Sequence, residues 1–194
     1  MDETEKSILI ENLKNELSPE RFAHSVSTAK EAVSLGAKWG ADIKKCEIAG
    51  LLHDCGKKKY ENGEITECEK YKIILNDDDL KCPYILHSYL SREIARDKYK
   101  IADPKILDAI GNHTLGGHNM GLIEKIIFTA DFIEPGRKGD IFQKIRKKAY
   151  EDLDEAMLMI YDQKINYSKE RGNHVHKRAV ENREELNKSL KERN

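Results

Sequence analysis

The sequence has little net charge, no cysteine pairing motif, no long apolar run and no alternating β-branched stretches, and each absence excludes something. The formal net charge is -1 across 194 residues, which argues against a broad nucleic-acid-binding face while leaving room for a local basic pocket. Four cysteines are present, Cys46, Cys55, Cys68 and Cys82, and no two form a C-x-x-C pair; a zinc ribbon or thioredoxin-like site is therefore not indicated. No apolar run approaches membrane-spanning length, and the charged start "MDETEKSILIENLKNEL" lacks the h-region of a secretory signal. The expectation is a cytoplasmic protein with free thiols. Without alternating β-branched runs, no strand is expected. No internal repeat and no long linker divides the chain.

What is present reads as helix almost throughout. Hydrophobic residues make up 39% and charged residues 36%, the balance of a soluble globular domain with a charged surface. "SPERFAHSVSTAKEAVSLGAKWG" offers Ser18 as N-cap and Pro19 at the first helical position, followed by an apolar stripe of Phe22, Val26, Ala29 and Val33. "ADIKKCEIAGLLHDCG" has Asp42 as cap and Gly56 as stop. "TECEKYKIIL" suggests a capping box of Thr66 and Glu69. "PYILHSYLSREIARDKY" reads as one helix, "DPKILDAIGNHTLGG" as another capped by Asp103, and "GLIEKIIFTADFIEPGR" as a third ending at Pro135. Two or three charged helices follow Asp140, and the tail is expected to fray. The expected organisation is a single all-α domain: residues 1–17 a helix packing on the core, 18–137 the core itself, and 138–194 charged helices completing it.

Several polar residues fall where the apolar pattern promises core. His87 shares the stripe of Leu90 and Ile94, and His113 that of Ile106 and Ile110. Asp131 lies one turn after Ile127. His53 and Asp54 end a helix that is apolar nearly all round. His24 projects roughly opposite its own stripe, so its helix must be covered on two sides for it to join the others. One inward histidine is usually a core residue bonded to a carbonyl. An inward carboxylate, however, needs donors or a cation, and a metal centre would satisfy the whole set together. Imidazole and carboxylate without thiolate suit iron, manganese or zinc.

The order His24, His53-Asp54, His87, His113, Asp131 resembles the H…HD…H…H…D signature of binuclear HD-domain phosphohydrolases. The blocks "RFAHSVSTA", "AGLLHDCGK", "ILHS", "AIGNHTLGG" and "KIIFTADFIEPGR" are similar, in order, to those of the YqeK-type HD family, symmetrically cleaving dinucleoside tetraphosphatases of bacteria. The resemblance implies an HD-type helical bundle with two divalent metal ions in its core. Iron is the family expectation, with manganese or cobalt as substitutes. One metal would take His24, His53, Asp54 and Asp131, and the other His87 and His113, with Asp54 bridging. Such a pair acidifies a bridging water and clamps phosphoryl oxygens for in-line attack. Asp54 and Lys57 are the expected catalytic residues. Lys57, Arg137, Thr114 and Gly116 are the candidate phosphate contacts. Lys57 also fits a solvated helix end, and Arg137 an exposed turn. His118, His174 and His176 read as surface residues.

The implied partners are a dinucleoside polyphosphate substrate and nucleoside diphosphate products, with neither nucleic acid nor membrane; the oligomeric state stays open, a homodimer being compatible. Competing functions are hydrolysis of nucleoside mono- or triphosphates on the same metals, and a nucleotide- or metal-binding module without turnover.

Overall fold

In the computed structural model, which describes residues 3–193, the chain forms eleven α-helices and, among the described residues, no strand. The helices are α1 (Glu3–Glu16), α2 (Pro19–Trp39), α3 (Ile43–Leu52), α4 (Gly63–Lys70), α5 (Asp77–Lys81), α6 (Leu86–Asp97), α7 (Pro104–Asn112), α8 (Leu122–Ile133), α9 (Asp140–Glu151), α10 (Leu153–Glu170) and α11 (Lys177–Arg193). Short polar caps start most of them. Ser18 Oγ accepts from Arg21 N, Asp42 from Lys44 N and Lys45 N, and Asp103 from Lys105 N. Each satisfies backbone donors that the first turn leaves open.

The long helix α2 lies at the centre, packed against α3 and α8. Its buried row is Ser25, Thr28, Ala29, Ala32 and Leu35, whereas Phe22, Val26 and Val33 of the expected stripe are only half-buried. Small residues win this face because α3 crosses so closely: a Cβ added to Gly50 would meet Ala29 Cα at 2.6 Å. Cover on two sides is what lets His24 turn inward. Helix α7 packs on α3 and α8, α6 packs on α7, α10 closes over α8, and α11 packs on α10. Leu9, Leu13 and Leu17 seat the N-terminal segment on the core.

Several boundaries differ from the sequence reading. Helix α3 stops at Leu52, so His53 to Gly56 form turns rather than its last residues. Helix α4 begins after Asn62, which leaves Thr66 inside the helix and not in a capping box. Pro83–Ile85 is a 3-10 turn leading into α6. The C-terminal helix runs unfrayed to Arg193, held by buried Leu190 and by an ion pair of Arg193 with Asp152. Met1, Asp2 and Asn194 lie outside the described residues. No helix among the described residues is long and apolar enough to cross a membrane. All four cysteines are buried free thiols.

A candidate metal centre

Five segments bring six side chains to one point. His24 comes from α2, His53 and Asp54 from the turn after α3, His87 from α6, His113 from the end of α7, and Asp131 from α8. His24 Nε2 is 3.0 Å from Asp131 Oδ1 and 3.2 Å from His53 Nε2. On the other side, His87 Nε2 is 3.2 Å from His113 Nε2. Asp54 stands between the two groups. Its Oδ2 faces His53 Nε2 at 3.6 Å and His24 Nε2 at 3.8 Å, while its Oδ1 faces His87 Nε2 at 3.3 Å and His113 Nε2 at 3.5 Å.

The ring nitrogens are prepared for coordination. His53 Nδ1 donates to Gly50 O at 2.8 Å, and His113 Nδ1 donates to Ile110 O at 2.7 Å. A carbonyl can only accept, so these bonds fix the tautomer and leave each Nε2 facing inward. His24 Nδ1 lies 3.3 Å from Glu134 Oε1, and that carboxylate is itself held by Ser27 Oγ at 2.6 Å and Gly136 N at 2.5 Å. Burial, with the neighbouring imidazoles His53 and His87, pushes His113 down to about 4. Its Nε2 is therefore a free lone pair at neutral pH. Burial opposes charge on His53, but Asp54 and Asp131 outweigh it and raise its pKa. Burial likewise opposes ionisation of Asp54 and Asp131, yet the imidazoles around them bring both well below the usual carboxylate range.

These features fit divalent cations. Asp54 Oδ1 is buried and has no hydrogen-bond partner, an arrangement that costs about 1–3 kcal/mol if nothing compensates it. Within His24, His53 and Asp131, and again within His53, Asp54 and His113, one ligand atom from each residue lies within 4.8 Å of the others. Four imidazoles and two carboxylates, without thiolate, suit iron, manganese or zinc. Cys55 is adjacent in sequence but donates to Ser91 O, and burial pushes its pKa up to about 12. It is an inert core thiol.

Cations ring the cluster. Lys57 Nζ is 3.7 Å from Asp54 Oδ2, and Arg137 reaches Asp131 and Glu134 at 3.6 Å each. Thr114 borders the cluster, its Oγ1 3.3 Å from His113 Nε2. Gly116 adopts φ +72°, and a Cβ added there would collide with Tyr161 Oη, so it shapes the loop against α10. A cavity of about 500 Å³ opens beside the cluster and reaches His87, His113, Asp131 and Lys57.

Several participants escaped the sequence reading. Arg21 Nη1 lies 3.3 Å from Asp54 Oδ2, and Glu134 orients His24. Each sits three residues from a clustered side chain, Arg21 before His24 and Glu134 after Asp131, and that spacing was the available signal. Lys164 enters from α10 and lines the cavity; nothing local in its sequence marks it. His176 is a correction: it is buried, its imidazole 3.1 Å from both Asp78 Oδ2 and Asp79 Oδ1. It and His174 lie in the connection before α11, and His174 pairs with Asp78 at 2.5 Å. His118 is exposed and pairs with Glu185.

A family model described as HD domain matches residues 21–136. This chain belongs to the HD-domain family. Among the relatives of this HD protein is a symmetrical bis(5'-nucleosyl)-tetraphosphatase of Bacillus subtilis, 36% identical over 75% of this chain and 78% of that one. A protein of the same name from Staphylococcus aureus is 36% identical over 76% of each. A solved structure from Clostridium acetobutylicum, described as a predicted HD superfamily hydrolase involved in NAD metabolism, superposes with a TM-score of 0.91 at 37% identity, covering 95% of this chain and 97% of that one. The YqeK-type resemblance and the all-α HD fold are thus borne out.

Proposed function

We propose that this HD protein hydrolyses dinucleoside tetraphosphates, diadenosine tetraphosphate foremost, into two nucleoside diphosphates. The observation that carries the reading is Asp54, whose two oxygens face two separate sets of imidazole nitrogens beside an open cavity. The names of the relatives over most of the chain support the substrate class. His24, His53, Asp54 and Asp131 would hold one divalent ion, and His87 and His113 a second, with Asp54 shared. Bound there, iron, manganese or cobalt ions would acidify a water and draw charge from the phosphoryl oxygens.

The chain's own residues supply the rest. Asp54 and Asp131 are ionised over the working pH range, as the direction of their pKa shifts requires. Glu134 keeps the His24 ring turned inward. Lys57, beside Asp54, is placed to meet negative charge on the departing diphosphate, and Arg137 can grip two phosphoryl oxygens with its planar fork. Water attacks one β-phosphorus, the central anhydride bond breaks, and its bridging oxygen leaves with the other diphosphate. The buried Cys55 has no part in this.

A single turnover in oxygen-18 water tests the reading. The expected result is two nucleoside diphosphates, one of the two labelled on its terminal phosphate. Monophosphate plus triphosphate as products would reject symmetric cleavage, and a trapped phosphoenzyme would reject direct attack by water.

A further inference from the structure

The cavity beside the metal cluster has two unlike ends. The inner end carries Lys57, His113, Thr114 and Asp131 together with Lys164. Lys164 Nζ donates to Thr114 O at 3.0 Å, lies 3.5 Å from His113 O, and sits 4.3 Å over the Phe128 ring. Among the described residues its hydrogen-bond partners are carbonyls and no carboxylate. An ammonium has three donors; two carbonyls leave one of them for a ligand. Asp131 attracts it through space without forming an ion pair with it among the described residues, so that donor faces the cavity and suits an anionic ligand.

The outer end is different. Tyr84 and Tyr167 line it and remain 49% and 56% exposed. Val175 lies with them, and Ser168 and Asn173 add polar groups at the same end. Aromatic faces with a few hydrogen-bonding groups suit a planar heterocycle. Arg171 lies 4.6 Å over one face of Tyr167, so the outer end offers aromatic and guanidinium surfaces to a base, while the lysines of the inner end suit a nucleotide's phosphates.

We infer that this cavity takes one nucleoside diphosphate arm of the substrate, with Lys164 on its phosphates and Tyr84 and Tyr167 against its base. The inference rests on the function proposed above and adds direction to it. The phosphate chain runs from the metal cluster past Lys164, and the base points toward the α10–α11 connection. The second nucleoside lies outside the cavity.

The test uses the full, metal-loaded chain and two probes, ADP and inorganic pyrophosphate, with affinities measured by equilibrium dialysis. Lys164→Met should weaken both probes about tenfold or more, the scale of losing a charged hydrogen bond. Lys164→Arg should restore part of that loss, and metal content should stay at the wild-type level in both. The Tyr84→Ala/Tyr167→Ala pair should weaken ADP about fivefold or more, as expected for lost stacking, while leaving pyrophosphate unchanged. If Lys164→Met unfolds, Lys164→Gln takes its place. Pyrophosphate affinity equal to wild type without the Lys164 charge overturns the assignment. So does a tyrosine pair that weakens pyrophosphate as much as ADP. Wild-type protein that cleaves diadenosine tetraphosphate symmetrically while these variants bind normally loses the cavity assignment and keeps the function. Wild-type protein that shows the two-ended binding pattern but leaves the tetraphosphate intact keeps the cavity assignment and loses the function.

Discussion

Gly56 offers a way to disturb half of the cluster without touching any of its six side chains. It follows the His53-Asp54 pair by two residues, and its backbone lies directly on α6. A Cβ built there would stand 2.6 Å from Ser91 N, 2.9 Å from His87 O and 3.0 Å from Leu90 C. All three are backbone atoms, so no side chain can rotate aside. Ordinary contact between such atoms needs about 3.5–4.0 Å, and α6 must therefore retreat by roughly 1 Å. The Gly56 N–H bond to Ser91 Oγ, now 2.8 Å, would stretch with it. Overpacking of this kind costs about 1–3 kcal/mol, which in a chain of this length lowers Tm by about 2–12 °C. Helix α6 also carries His87, whose Nε2 stands 3.3 Å from Asp54 Oδ1. In Gly56→Ala the His87–His113 side of the cluster should lose metal, while His24 and Asp131, borne on α2 and α8, and His53, whose ring is tied to Gly50 O, keep theirs. Differential scanning calorimetry and elemental analysis of the same preparation read both effects. A variant with wild-type Tm and full metal content would refute the claim that this close approach sets the cluster's spacing.

Three further outcomes follow from the same geometry. Asp54→Ala should lower metal content on both sides of the cluster and abolish hydrolysis, and loss of one equivalent only, seen by elemental analysis, would contradict the bridging role. Glu134→Gln keeps the shape but weakens the hold on His24 Nδ1; metal affinity measured by competition with a chelator should fall about 10–100-fold, and an unchanged affinity would mean that His24 needs no orienting. In chelated protein, the His113 imidazole should titrate near pH 4 by NMR, so the unfolded chain binds more protons than the folded one from about pH 4 to the ordinary histidine value near 6.5. The stability this group contributes is then present above that window and lost as the pH falls through it, while His53, shifted upward, works in the opposite sense; a His113 midpoint near 6.5 would refute burial as the cause of its shift.

Much of the architecture could be read from local chemistry. Ser18, Asp42 and Asp103 cap the helices they were expected to cap, because capping depends on residues only two or three positions away. His87 and His113 could be assigned to buried faces for the same reason: periodicity is local. Thr66 misled because an S/T-x-x-E pattern occurs inside helices as well as at their starts, and Asn62 with Gly63 opens that helix a turn earlier. The stripe of α2 misled because the sequence carries no mark of a second helix pressing on Ala29. Distance along the chain hid the rest. His176 meets Asp79 across 97 residues and Lys164 meets Thr114 across 50, and no window on the sequence spans such pairs. The six clustered residues were the exception among long-range features, since their order, and not their spacing, carried the resemblance.

The division of the cavity wall between two stretches of the chain has a consequence for how such a protein can change. Every residue proposed to hold metal falls between positions 24 and 131, whereas Tyr161, Lys164, Tyr167 and Val175 of the cavity wall lie in α10 and the connection after it. Under the proposed function, the metal cluster is inherited on one stretch of polypeptide and much of the substrate-facing wall, Tyr84 excepted, on another. Substitutions confined to the later stretch can alter which molecule is accepted while leaving the bond-breaking apparatus intact. A chimera that joins the first 137 residues of this chain to the C-terminal helices of a relative should carry its chemistry from one parent and its choice of substrate largely from the other.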